Sequence, residues 1–334
     1  AACVAERQRA ECLLRPERTV FPMNLLLLTF GDNTDNHQQA VFAALSFMRD
    51  PHIRRVLVVT DRPDFYRWLC GTERNALLTE EGGEDASGKR GMAAAVEILP
   101  ITAETLSAWQ GPQQFFWRIK IQAVAMAVCQ YPGQHLLYVD SDTFLAGSLA
   151  DMVRQLDAGA ACMHCFENRL GDRNSRTLTR TRRALSGRTL EGLTPTGRHE
   201  MWNAGVIGLP ASTAAERVAR ALQLCDAMCA TDCPRRLIEQ FAFSLALQQG
   251  TLHSCQDVIG HYWGNKPAWN RLIAGFLAEA RLKDETVAQA VARVGQVDWR
   301  ALPLEHRQRR WVLRLKAVID WALPPKKLRH FTPG

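Results

Sequence analysis

Two aspartates one residue apart close the apolar run of LLYVDSDTF, residues 136–144. An ionised carboxylate leaves water only at high cost unless something positive meets it. Acids at the end of a buried strand therefore either lie at its edge in solvent or hold a cation. Read as part of the strand, Asp140 and Asp142 project to the same side, with Cα atoms ~7 Å apart. That separation suits one hard divalent cation, reached by both carboxylates directly or through water. Ser141 faces the other way on this reading. A D-x-D triplet is common by chance, and its weight comes from the apolar strand before it and Phe144 beyond it.

Other residue types capable of chemistry read more weakly on their own. His261, which opens HYWGNKPAW (261–269), is as an isolated histidine more often packed or exposed than a ligand. Trp263 and Trp269 read as core, with stacking on a base or sugar face as the alternative. Arg118 and Lys120 in FFWRIKIQAV read singly as helix-surface charges. Cys162-Met-His-Cys165 has the gap of a zinc knuckle, but no second pair follows at that spacing. Cys225, Cys229 and Cys233 step by four along one helical face, as reduced packing cysteines do.

These residues need elements to place them. NLLLLTF (24–30) and RVLVVT (55–60) are short, wholly apolar runs of the kind covered on both faces of a sheet. Val96–Ile101, the run before Asp140 and NAGVIGL (203–209) read as further strands. Helical periodicity covers 37–48, 117–128 and 236–248, and Pro132-Gly133 stops the second of these. Residues 79–91 read as an exposed loop. The arginine-rich stretch 166–200 reads as a loop or lid over a cleft, or as solvated surface. Strands alternating with helices predict an α/β fold with a mostly parallel sheet. In such sheets ligands bind beyond the carboxyl ends of the strands, where GDN (31–33), TDRPD (60–64) and DSD (140–142) all fall.

The 334 residues carry a formal net charge of +7, which suits an anionic partner such as a phosphate, a nucleic acid or a lipid headgroup surface. No apolar run approaches a membrane span, and the arginine-bearing first 20 residues lack the apolar core of a secretory signal. A cytoplasmic protein is expected. From His306 the chain reads HRQRRWVLRLKAVIDWALPPKKLRH, in which Trp311, Leu315, Val318, Ile319 and Ala322 share a helical face beside Arg310, Arg314 and Lys316. A basic amphipathic helix of this kind can rest on anionic lipid. Residues 306–330 are therefore expected either to touch the inner face of a membrane or to dock as a last helix on the domain.

Taken in order, FFWRIKIQAV, LLYVDSDTFL, WNAGVIGLP, IEQFAFSLAL and HYWGNKPAW resemble the GT-A glycosyltransferases. The likeness is greatest to the retaining type that includes glycogenin and the bacterial lipooligosaccharide galactosyltransferases, and it spans Asn24 to Trp269. The resemblance implies a GT-A catalytic domain over 20–270, with a donor half to about 148 and an acceptor and metal half from 149. A helical extension with a basic tail would follow over 271–334. It also implies that Asp140, Asp142 and His261 hold manganese or magnesium on the diphosphate of a nucleotide sugar. An imidazole ligand favours manganese. Lys266 would reach the diphosphate, with Gly264 admitting it close to the backbone. Arg118 would contact the donor and Lys120 would pack near the metal-bearing strand. Thr29, Phe30 and Asp32 would flank the nucleoside, and Asn203 would contact donor sugar or acceptor. Glu239 would bind sugar hydroxyls and Gln240 would lie beside the anomeric carbon. The sequence departs from the family at two places. It reads Lys-Pro-Ala-Trp where the family has Pro-Trp directly after a lysine set one residue later, and Glu239 stands for an aspartate.

The reaction so implied moves a sugar from a UDP-sugar, with retention, to a glycan or lipid-linked glycan in bacterial surface-glycan synthesis. No nucleic-acid partner is expected. An inverting enzyme would need a carboxylate to deprotonate the acceptor, for which Glu239 is the sequence's candidate. Two other readings fit a D-x-D after a strand. A haloacid-dehalogenase-type phosphatase would have Thr or Val at position 144, where this chain has Phe. A non-catalytic nucleotide-sugar binder would keep the fold and lose the turnover.

Overall fold

A computed structural model of the chain describes residues 21–71, 94–173, 175–304 and 310–323. The loop expected at 79–91, residues 1–20 and the basic tail from 324 lie outside the described residues. Seven strands form the central sheet: β1 (Met23–Thr29), β2 (Ile53–Thr60), β3 (Ala95–Pro100), β4 (His135–Val139), β6 (Ala161–Met163), β9 (Val206–Leu209) and β10 (Leu252–Ser254). Their order is β10-β6-β9-β4-β1-β2-β3, and β9 alone runs against the others. Two small antiparallel pairs stand apart from it. One joins β5 (Thr143–Leu145) to β11 (Ile259–His261), the other β7 (Phe166–Arg169) to β8 (Glu200–Trp202). The fold class is thus the mostly parallel α/β one that the apolar runs predict.

Alternation along the strands decides how the sheet is covered, because successive side chains point to opposite faces. Leu25, Leu27, Val56, Val58, Leu137 and Val139 enter one core, whereas Leu26, Leu57, Val59, Leu136 and Tyr138 enter the other. The first face carries α1 (Thr34–Phe47), and α2 (Arg67–Cys70) adds Leu69 to the same core. After α3 (Ala103–Trp109), α4 (Arg118–Gln130) packs on the second face. Next come α5 (Ala150–Asp157), α6 (Arg176–Leu185), α7 (Ala214–Cys229) and α8 (Ile238–Leu247). The last three join α4 through Leu178, Leu185, Leu224, Phe241 and Phe243. On the first face α9 (Lys266–Leu282) and α10 (Val287–Val294) close over α1 through Trp269, Ile273, Phe276 and Ala290. Position 270 falls inside α9, which packs into the same core as β1.

Three local expectations change. The run 203–209 is not one strand: Asn203, Ala204 and Gly205 form a turn before β9. The stretch 166–200 is not a bare loop, because β7 and β8 pair antiparallel and α6 buries Leu178, Thr181 and Leu185. Cys233 lies beyond the end of α7, so only Cys225 and Cys229 share its helical face. α11 (Arg310–Ala322) forms where the amphipathic pattern placed it, with Leu315, Val318, Ile319 and Trp321 all exposed. Among the described residues no helix is long and apolar enough to cross a membrane.

Candidate active site

β1, β2 and β4 are parallel neighbours, so their carboxyl ends open on one edge of the sheet. β4 stops at Val139, and Asp140, Ser141 and Asp142 form the turn into β5. The same-face argument from a continuing strand therefore fails, and the acids converge by a different route. The Asp140 N–H donates to Gly205 O at 2.8 Å and the Thr143 hydroxyl to Asp140 O at 2.8 Å, which folds the turn back. β5 then pairs with β11, setting His261 opposite Thr143. Two short strands thus carry an imidazole from far along the chain to the acids. Single ligand atoms of Asp140, Asp142 and His261 all lie within 4.8 Å of one another. His261 Nε2 is 3.4 Å from Asp142 Oδ1, and Lys266 Nζ is 2.8 Å from Asp142 Oδ2. Burial alone would raise the Asp142 carboxyl, but His261 and Lys266 hold it well below the usual carboxylate range.

The histidine tautomer follows from its neighbours. A carboxylate can only accept, so Glu167 Oε1, 2.8 Å from Asn203 Nδ2, fixes which end of that amide is nitrogen. Asn203 Oδ1 accepts from the Gly205 N–H at 2.9 Å and lies 3.1 Å from His261 Nδ1. Nδ1 must therefore carry a proton, which leaves Nε2, facing the two acids, as the nitrogen that can bind a cation. Two carboxylates and an imidazole nitrogen so oriented are a donor set that fits a divalent cation.

Behind this cluster Lys120 is buried between acids. Its Nζ is 3.0 Å from Asp140 Oδ1 and 3.2 Å from Glu239 Oε1, and it donates to Ala204 O at 3.2 Å. The Tyr138 hydroxyl donates to Asp140 Oδ1 at 2.7 Å. Burial lowers the Lys120 ammonium, but Asp140 and Glu239 more than reverse this and raise it above its ordinary value. Burial raises the Glu239 carboxyl, with Lys120 opposing. Lys120 and Glu239 thus form a close ion pair, which engages Glu239.

The remaining sequence candidates separate. Lys266 begins α9, and the Lys-Pro-Ala-Trp spacing still leaves it against Asp142, because Trp269 is absorbed in the first turns. Trp269 stacks on Tyr262 at 4.2 Å between centroids and is core, whereas Trp263 is 65% exposed. A Cβ at Gly264 would meet nothing within 4 Å, so open space faces that backbone. Gln240 donates to Glu167 Oε2 at 2.8 Å. Thr29 is buried with its hydroxyl 3.4 Å from His37 Nδ1, Phe30 packs on Phe116, and Asp32 is exposed and ion-paired with Arg62. Arg118 turns away from the cluster: it forks onto Asp226 at 2.7 and 3.0 Å and donates to Trp109 O.

Sequence reasoning missed two residues at the site. Glu167 holds both Asn203 and Gln240, yet it opens a stretch that reads as arginine-rich loop. His164 stands edge-on to His261 with centroids 5.3 Å apart, and its Nε2–H donates to Ile259 O at 3.1 Å. The zinc-knuckle reading of Cys162 and Cys165 gains no support, since Asp140, Asp142 and His261 form the one metal-capable cluster among the described residues.

No protein-family model and no curated protein matches the chain. Several solved structures resemble its course. The apo form of mouse xyloside xylosyltransferase 1 aligns at TM-score 0.43 and 16% identity, over 70% of this chain and 84% of that one. The galactosyltransferase LgtC, solved with donor and acceptor sugar analogs, aligns at 0.45 and 13%, over 83% and 98%. The glycosyltransferase GlyE of Streptococcus pneumoniae TIGR4 aligns at 0.40 and 14%, over 84% of this chain and 53% of that one. The chain thus spans about half the length of GlyE. Likenesses of this size concern the chain's path and not its chemistry.

Proposed function

We propose that the chain is a metal-dependent GT-A glycosyltransferase that takes a sugar from a nucleotide-diphosphate donor, a UDP-sugar, and transfers it with retention to a glycan or lipid-linked glycan. The observation that carries this reading is the convergence of Asp140, Asp142 and His261 at the carboxyl edge of a mostly parallel sheet. These three would hold Mn2+ or Mg2+, which supplies positive charge to the departing diphosphate. Lys266, half-exposed at the start of α9, neutralises Asp142 in the free protein and would turn to the diphosphate. The amino end of that 17-residue helix adds a favourable field for an anion. Thr29, Phe30 and Asp32 close the edge at β1, where the nucleoside would lie. Gln240 would face the anomeric carbon. Because Glu239 is committed to Lys120, no general base is taken from it, which favours proton transfer to the leaving diphosphate on the same face.

On this reading 20–270 is catalytic, 271–334 an extension joined to it through α9, and synthesis of a bacterial surface glycan the setting. The exposed apolar face of α11 beside Arg314 and Lys316 favours a cytoplasmic enzyme resting peripherally on anionic lipid. A panel of UDP-, GDP- and CDP-sugars with Mn2+, Mg2+ or EDTA tests the function through release of free nucleoside diphosphate. Metal-dependent release from one donor is expected, and Asp142→Asn should abolish metal-dependent donor binding while the protein stays folded. Release of phosphate from a generic phosphoester, or unchanged donor affinity in that variant, would overturn the assignment.

A further inference from the structure

Glu167 is an exposed carboxylate on β7 whose two oxygens are both spoken for by neutral amides of the site. A carboxylate has no proton to give at neutral pH, so both amides must turn their nitrogens to it. For Asn203 this polarity is fixed twice, since its Oδ1 also accepts from the Gly205 N–H. For Gln240 the one side-chain bond among the described residues is that to Glu167, at 2.8 Å. We propose that Glu167 is the positioning residue that makes Gln240 present its carbonyl oxygen, and not its NH2, to the reacting sugar. The inference rests on the reading that Gln240 faces the donor.

The charge logic is simple. A sugar leaving its diphosphate gains positive character at the anomeric carbon, which a carbonyl dipole steadies and an NH2 group opposes. An exposed glutamine with no partner samples both orientations; a glutamine tethered through Nε2 to an anion samples one. Glu167→Gln removes that rule while keeping shape. The new side chain has one acceptor and one donor end, and Asn203, locked by Gly205, demands the acceptor. The donor end then faces Gln240, whose amide must turn over or let go.

The test uses the full chain labelled with 15N-glutamine, the Gln240 side-chain signals being assigned by their absence from a Gln240→Leu variant. In Glu167→Gln those signals should move, Mn2+ affinity and donor KM should stay within about twofold, and donor turnover should fall ~10- to 100-fold. Glu167→Asp, one methylene too short to span both amides, should fall in the same direction with the melting temperature unchanged. Signals that stay put in Glu167→Gln overturn the proposal. Signals that move without any loss of turnover overturn its catalytic half and leave the enzyme reading intact. If the wild type turns over no donor, the enzyme reading fails, and the amide signals still decide whether Glu167 orients Gln240.

Discussion

Gly205 packs against the imidazole of His261 so closely that a methyl group has no room. A Cβ built on Gly205 would fall 2.2 Å from Cε1 and 2.5 Å from Nδ1 of that ring. The same glycine accepts from the Asp140 N–H and donates to Asn203 Oδ1, so one residue spaces the acid, the amide and the imidazole.

Gly205→Ala is therefore expected to push the His261 ring off its line to the aspartates. Metal affinity should drop at least as far as for loss of a partner behind a ligand, ~10- to 100-fold. Titration of the variant with Mn2+, followed by the electron-spin signal of free ion, measures this directly. An affinity within twofold of wild type would mean that the ring does not ligate.

Lys120 answers to two acids at once, and its loss is predicted to be costly. Lys120→Met leaves Asp140 and Glu239 facing one another in a buried setting with no cation between them. Breaking a buried ion pair from one side costs about 3–5 kcal/mol. Urea unfolding at neutral pH should show a loss of that size, and the added change Glu239→Gln should recover part of it. A loss under 1 kcal/mol (roughly the worth of an exposed pair) would place Lys120 among surface charges.

Much of this arrangement was legible from residues alone, and the parts that were not share a cause. The sheet was readable because LLLLT and VLVVT are apolar on both faces, which only a doubly covered strand requires. Asp140 and Asp142 were found by their place after β4, although the reason given, a shared strand face, was wrong: the turn into β5 brings them together. His261 came from resemblance alone, since nothing in its neighbourhood announces the antiparallel pairing of β5 with β11. Glu167 and His164 were hidden because short strands of three or four residues carry too few periods to be seen. The bidentate pairing of Arg118 with Asp226, 108 residues away, leaves no local trace in the sequence.

His135 supplies a pH dependence whose sign can be worked out. The ring is buried at the start of β4; its Nδ1 accepts from the Ala211 N–H at 2.9 Å and its Nε2–H donates to Asp157 at 2.9 Å. The neutral ring satisfies both neighbours, and protonating Nδ1 would break the first bond. Burial holds the imidazole below its ordinary pKa, with Asp157 opposing only in part. A folded-state value below the unfolded one means that the unfolded chain binds the proton more readily. This contribution to stability is accordingly complete above about pH 6.5 and is lost as pH falls through and below that value. Melting temperatures between pH 7.5 and 5.5 should fall more steeply for wild type than for His135→Gln. Glutamine offers a carbonyl to Ala211 and an amide to Asp157 but does not titrate. Parallel curves for the two proteins would assign the acid sensitivity to another group.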